Sequence, residues 1–155
     1  HDCGTSVPAG SSCTISVTFK PTSTGSKTAA VNVATGSGTM TVSLSGTGVQ
    51  STYSVSPTSL AFGDVARSTT SAAQTVKISN TGTVVLPINS ISLGGTAGGQ
   101  FSQTNNCPAQ VPVGGSCSAS VKFKPTSTGL KSATLKVSPG GGASAKSVAL
   151  SGTGI

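Results

Sequence analysis

At 155 residues the chain has room for one or two domains, with 34 % hydrophobic residues but only 3 % aromatic and 7 % charged. Its formal net charge of +7 reflects a scarcity of acids, since Asp2 and Asp64 are the only carboxylates beside nine Lys and Arg. A lone arginine, Arg67, and rings few enough to be absorbed by a core exclude the clustered cations and stacking aromatics of a nucleic-acid surface, and no apolar run is long enough to insert into a membrane.

Gly, Ser and Thr are abundant, but Val, Ile, Leu and Phe fall in short alternating runs, which predicts a folded all-β protein. Cys3 and Cys13 bracket Val7-Pro8-Ala9-Gly10, a spacing suited to closing a hairpin or a loop between adjacent strands. Metal binding favours tighter Cys-x-x-Cys spacing or histidine ligands, and the only histidine is His1. A Cys3–Cys13 disulfide is therefore expected. It constrains the unfolded chain by about 2–3 kcal/mol.

Residues 12–20 alternate, with Ile15, Val17 and Phe19 on one face, until Lys20-Pro21 and Gly25 break the strand. Lys27 to Ala34 places Ala29, Val31 and Val33 inward, and Met40 to Ser45 returns with Val42 and Leu44. Together these predict a three-stranded antiparallel meander with one apolar face. Residues 49–57 form a junction too short and strand-like for a flexible linker.

Beyond it, Ser54 to Ser59 and Leu60 to Phe62 read as a first strand broken by Pro57, and Gln74 to Ser79 as a strand with Val76 and Ile78 inward. Asn80-Thr81-Gly82 turns the chain into Val84 to Leu93, where Pro87 marks an edge or a bulge. Phe101 anchors a short strand leading to Cys107. Three strands then carry Ala119, Val121 and Phe123; Ala133, Leu135 and Val137; and Val148 and Leu150.

The stretch Cys107 to Gly129 repeats Cys3 to Gly25 at a constant displacement of 104 residues, with matching cysteines, Pro-x-Gly, inner Phe and Phe-Lys-Pro-Thr-Ser-Thr-Gly. The same reasoning therefore predicts Cys107–Cys117. Paired disulfides at repeated positions imply an oxidising compartment, and with no signal peptide in view the chain reads as a mature or internal piece of an exported protein. About seven short strands with turn signals every 8–12 residues predict an immunoglobulin-like antiparallel β-sandwich in tandem repeat with an incomplete first copy. On this reading 1–49 is the C-terminal half of a repeat and 50–155 a complete one.

Ser56-Pro57-Thr58-Ser59-Leu60-Ala61-Phe62-Gly63, Ile78-Ser79-Asn80-Thr81-Gly82, the cysteine loop, Phe-Lys-Pro-Thr and the closing Leu-Ser-Gly-Thr-Gly resemble the hydin-type repeats. These are also called ASH domains, relatives of the major sperm protein fold, and they resemble the repeats of bacterial "choice-of-anchor D" surface proteins. The resemblance implies a spacer, scaffold or binding surface and carries no catalytic residues.

Candidate chemistry is sparse. Acid–base catalysis needs positioned carboxylates or histidine, and a calcium site needs several carboxylates. His1, Asp2 and Asp64 supply neither, so no enzyme activity, metal or cofactor is expected. A structural module is favoured over a binding module that recognises glycan or protein through loops near Gly94–Gly99 and Pro139–Ala143, for which Tyr53 is the one available aromatic platform.

The face formed by Ile15, Val17, Phe19, Val31, Val33, Val42 and Leu44 forgoes about 10–20 kcal/mol if left wet. It predicts completion either by upstream chain or by strands of another subunit, the partner in both cases being another copy of the same module.

Overall fold

The computed structural model describes residues 1–155, which divide into two compact units, His1–Val49 and Gln50–Ile155. In the first, β1 (Gly25–Thr35) and β2 (Gly38–Gly48) form an antiparallel hairpin with Gly25 opposite Gly48 and Val31 opposite Val42. Thr35 Oγ1 donates to the Gly38 carbonyl at 2.8 Å and steadies the turn, and Thr41 Oγ1 donates to Asn32 Oδ1 across the strands at 2.8 Å. Both strands alternate in sequence, so one side of the hairpin is apolar.

The second unit is a sandwich of two sheets. Its strands are β3 (Tyr53–Ser56), β4 (Ser59–Val65), β5 (Gln74–Asn80), β6 (Leu86–Gly94), β7 (Phe101–Asn105), β8 (Gln110–Val111), β9 (Ser116–Phe123), β10 (Gly129–Pro139) and β11 (Lys146–Gly154), with one 3-10 turn at Gly98–Gln100. One sheet has the order β4-β11-β10-β6-β8 and the other β3-β5-β9-β7. All pairings are antiparallel except β11 with β4.

Inward positions at every second residue fill the space between the sheets: Val76 and Ile78, Val121 and Phe123, Leu135 and Val137, Val148 and Leu150 are all buried. Phe123 stacks on Phe101 at 4.7 Å between centroids and meets Phe62 at 6.1 Å, and this cluster takes the place of larger rings in a core without Trp. Asn80 and Ser51 are the buried polar residues, and Asn80 is the more heavily bonded. Its buried Nδ2 donates to the carbonyls of Val84, Val111 and Pro112 at 2.9–3.1 Å, and its Oδ1 accepts from the Gly82 amide, so it ties the β5–β6 and β8–β9 turns together.

Several local expectations need correction. The strand carrying Ala119, Val121 and Phe123 is no part of a meander with β10 and β11, because β9 lies in the other sheet between β5 and β7. The chain crosses at Lys124-Pro125-Thr126, where Pro125 is buried and lacks an N–H to continue the ladder. The first unit likewise has two strands, since residues 12–20 form none. Their counterpart β9 draws its hydrogen bonds from β5 and β7, and the first unit holds no strand in either position.

The broken first strand is also two strands of different sheets: the Ser56-Pro57 peptide is cis, β3 pairs with β5, and β4 pairs with β11. Pro87 stands at the end of the β10 ladder, beside a register shift between Ser138 and Pro139.

Candidate interaction faces

The four cysteines form two disulfides, Cys3–Cys13 and Cys107–Cys117, with Cα separations of 5.0 and 4.9 Å. In the second unit the bridge closes the loop that contains β8 and ends on the buried Cys117 of β9. In the first unit Asp2 lies beside Cys3 and Cys13, and its carboxylate accepts from the Thr14 amide. Both sulfurs there are spent in the bridge, so this cluster offers a carboxylate and no thiolate.

Matching positions of the two units differ sharply in exposure. Val17 and Phe19 are each 54 % exposed, whereas Val121 and Phe123 are 0 % exposed. Ile15 and Val42 are exposed too, and Val31, Val33 and Leu44 are half-buried, while Ala119, Leu135, Val137, Val148 and Leu150 are all enclosed.

The first unit nevertheless folds its apolar side as the second does. The Phe19 ring lies over Gly46 as the Phe123 ring lies over Gly152, and Ser23 and Pro21 approach Gly48 as Ser127 and Pro125 approach Gly154. Val17, Phe19, Ala29 and Leu44 thus line an open depression of about 330 Å³. In the second unit the space over the matching Phe123 is filled by Phe62 and Phe101.

The aromatic platform assigned to Tyr53 does not exist. Its ring is buried, its hydroxyl donates to the Ser144 carbonyl at 2.9 Å, and Lys146 Nζ lies 4.9 Å from the ring centroid while donating to the Tyr53 carbonyl. Burial pushes the Tyr53 hydroxyl above its ordinary value of 10.0, partly offset by a hydrogen bond with the Lys146 backbone.

The two loops considered for recognition sit at opposite ends of β6, Gly94 facing Thr134 and Ile88 facing Pro139 on β10. Each is tied down, the first through the Ala97 amide to Ser132, the second through Ser51 and Gln50 to Gly141 and Gly142. They do not converge on one ligand. Asn80 and the Tyr53–Lys146 pair escaped sequence reasoning, and the only signal for the former was its place in an Asn-Thr-Gly turn.

The architecture recurs among solved structures. A protein of unknown function from Porphyromonas gingivalis aligns over 87 % of this chain and 68 % of its own at a TM-score of 0.55 and 14 % identity. The ASH/PapD-like domain 7 of human CEP192 aligns over 66 % of this chain and 84 % of its own, at 0.50 and 15 %. The fold is immunoglobulin-like.

A family 123 glycoside hydrolase from Clostridium perfringens aligns over 69 % of this chain at 0.51 and 7 % identity, but only 27 % of its own length is covered. No protein-family model and no curated protein matches the sequence. At such identities the likeness concerns the fold alone.

Proposed function

We propose that this chain is a non-catalytic structural repeat of an exported bacterial surface array or extracellular filament, of the kind found in choice-of-anchor D proteins. It associates with further copies of its module by completing the sandwich or by packing modules end to end. The observation that carries this reading is the exposed apolar side of residues 1–49, whose matching positions in 50–155 are enclosed. A second layer over Ile15, Val17, Phe19 and Val42, each already about half covered, recovers about 0.7–1.5 kcal/mol for each side chain it encloses.

Beyond Thr14, whose amide and carbonyl both bond to Asp2, the segment up to Lys20 joins no strand and offers its backbone to such a layer. Two disulfides and no free cysteine suit an oxidising location outside the cytosol. Immobilised loops and buried rings suit a spacer better than a catalyst.

The test is the solution mass of the chain by light scattering under non-reducing conditions. Self-association raises the mass above 14.8 kDa and makes it grow with concentration. A monomer at all concentrations, with residues 1–49 cleaved by protease while 50–155 survives, would end the assembly reading.

A further inference from the structure

The second unit carries seven Lys and Arg against the single carboxylate of Asp64, so at least six of its cations have no acid within the unit to pair with. Two of them, Lys122 and Lys124, project from the outer face of the β3-β5-β9-β7 sheet, because Val121, Phe123 and Pro125 alternate with them into the core. Lys124 directly follows β9, about 7 Å from Lys122 along the extended chain, and its amide still bonds to the Gln100 carbonyl beside β7.

Each borders a shallow depression. Ser102, Gln103, Thr104 and Ser120 join Lys122 around about 170 Å³. Thr70, Gln100, Ser102 and Thr126 join Lys124 around about 300 Å³. Ser102, directly opposite Lys122 on the edge strand β7, is common to both, so the two depressions form one groove.

We infer that this groove along β7 and β9 binds an acidic polysaccharide, with Lys122 and Lys124 meeting successive anionic groups and the hydroxyl and amide side chains meeting sugar hydroxyls. Charge complementarity selects the acid. A second copy of this chain cannot supply it, having only Asp2 and Asp64. Nucleic acid is disfavoured because no ring of the second unit is exposed for base stacking, the rings of Tyr53, Phe101 and Phe123 being buried and Phe62 packed against the core. An acidic peptide finds no large exposed apolar anchor here, because Phe101, the one large apolar side chain of the lining, is buried. This site lies on the outer face of the β3-β5-β9-β7 sheet, takes Gly99 from the end of the Gly94–Gly99 loop into its lining, uses no residue of 1–49, and stands independently of the assembly reading.

The experiment measures binding of the full chain to immobilised polygalacturonate by biolayer interferometry, with neutral dextran, a thymidine homopolymer and polyglutamate as comparisons. Polygalacturonate is expected to bind at low salt and be released at 1 M, where the screening length is about 3 Å. The Lys122→Gln/Lys124→Gln variant is expected to bind at least tenfold more weakly, and Lys20→Gln/Lys136→Gln, which removes the same charge elsewhere, to change less than twofold. Ser102→Ile, which fills the shared wall without altering charge, should weaken binding at least fivefold. Equal losses in the two double variants, unchanged binding by Ser102→Ile, tighter binding to the thymidine polymer or polyglutamate, or no binding to polygalacturonate would each overturn the inference.

Discussion

Gly152 and Gly46 face the inner phenylalanines of their units, so one substitution made at both positions separates a closed core from an open one. A Cβ at Gly152 falls 2.6 Å from Phe123 Cε1 and 2.7 Å from Cδ1. That ring is fully buried and held by Phe62 and Phe101. Carbon atoms settle at about 3.5–4.0 Å, so either the ring or β11 has to retreat by about 1 Å.

Overpacking of this kind costs about 1–3 kcal/mol, and the reduced freedom of the unfolded chain returns about 0.4–1 kcal/mol. The Gly152→Ala variant should therefore lose about 1–2 kcal/mol. For a unit of this size, that lowers the Tm by about 5–15 °C. At Gly46 the same Cβ meets the Phe19 ring at 3.0–3.1 Å, but this ring is exposed and free to swing aside.

Gly46→Ala should accordingly change stability by no more than about 0.5 kcal/mol in the monomer. Differential scanning calorimetry of the full chain at low concentration reads both. A Gly152→Ala transition within about 1 °C of the parent would refute the packing argument. If Gly46→Ala becomes costly only at concentrations where the mass rises, Phe19 is covered in the assembly.

Replacing Asn80 by Ala takes its amide donor from the Val84 and Val111 carbonyls, while the Pro112 carbonyl keeps the Gly115 amide, and should cost about 2–4 kcal/mol, measured by urea unfolding. Tyr53 titrates higher in the folded unit than in the unfolded chain, so its contribution to stability is intact below pH 10.0 and is lost as the pH rises towards the folded value. Calorimetry from pH 9 to 11.5 should show a steeper alkaline fall in Tm than in Tyr53→Phe. Removing the Cys107–Cys117 bridge by paired serine substitutions should cost about 3 kcal/mol of stability in the second unit, read by urea unfolding under matched conditions. Val17→Ser/Phe19→Ser should abolish concentration-dependent mass in light scattering while leaving the unfolding of 50–155 unchanged.

Alternation told which side of each strand is apolar, and that was legible: the inward residues read from the chain at Val76, Ile78, Val121, Phe123, Leu135, Val137, Val148 and Leu150 are core residues. It could not tell which sheet a strand joins. The period of two is the same for β9 and β10, and the switch between sheets rests on the buried Pro125 crossing, which reads in sequence only as a turn. Strand β8 was invisible because two residues carry no period, and the parallel β4–β11 pairing because the partners are far apart in sequence. The Lys122–Lys124 groove was missed for a related reason. Lysines alternating with apolar residues look like ordinary solvated positions until β7 brings Ser102 opposite Lys122.

The parallel pairing of β4 and β11 bears on how the second unit carries load. Residues 50–53 enter near the β10–β11 turn, where Gln50 and Ser51 bond to Gly142 and Gly141, while Ile155 leaves at the other end of β11, bonded to Val65 and Arg67. A pull on the two ends draws β4 and β11 in opposite directions along their shared ladder, from Ala149–Ser59 to Gly154–Val65. The hydrogen bonds are then sheared together instead of being peeled one at a time. Tension delivered through the backbone reaches that ladder after passing β3, which is itself held by β5.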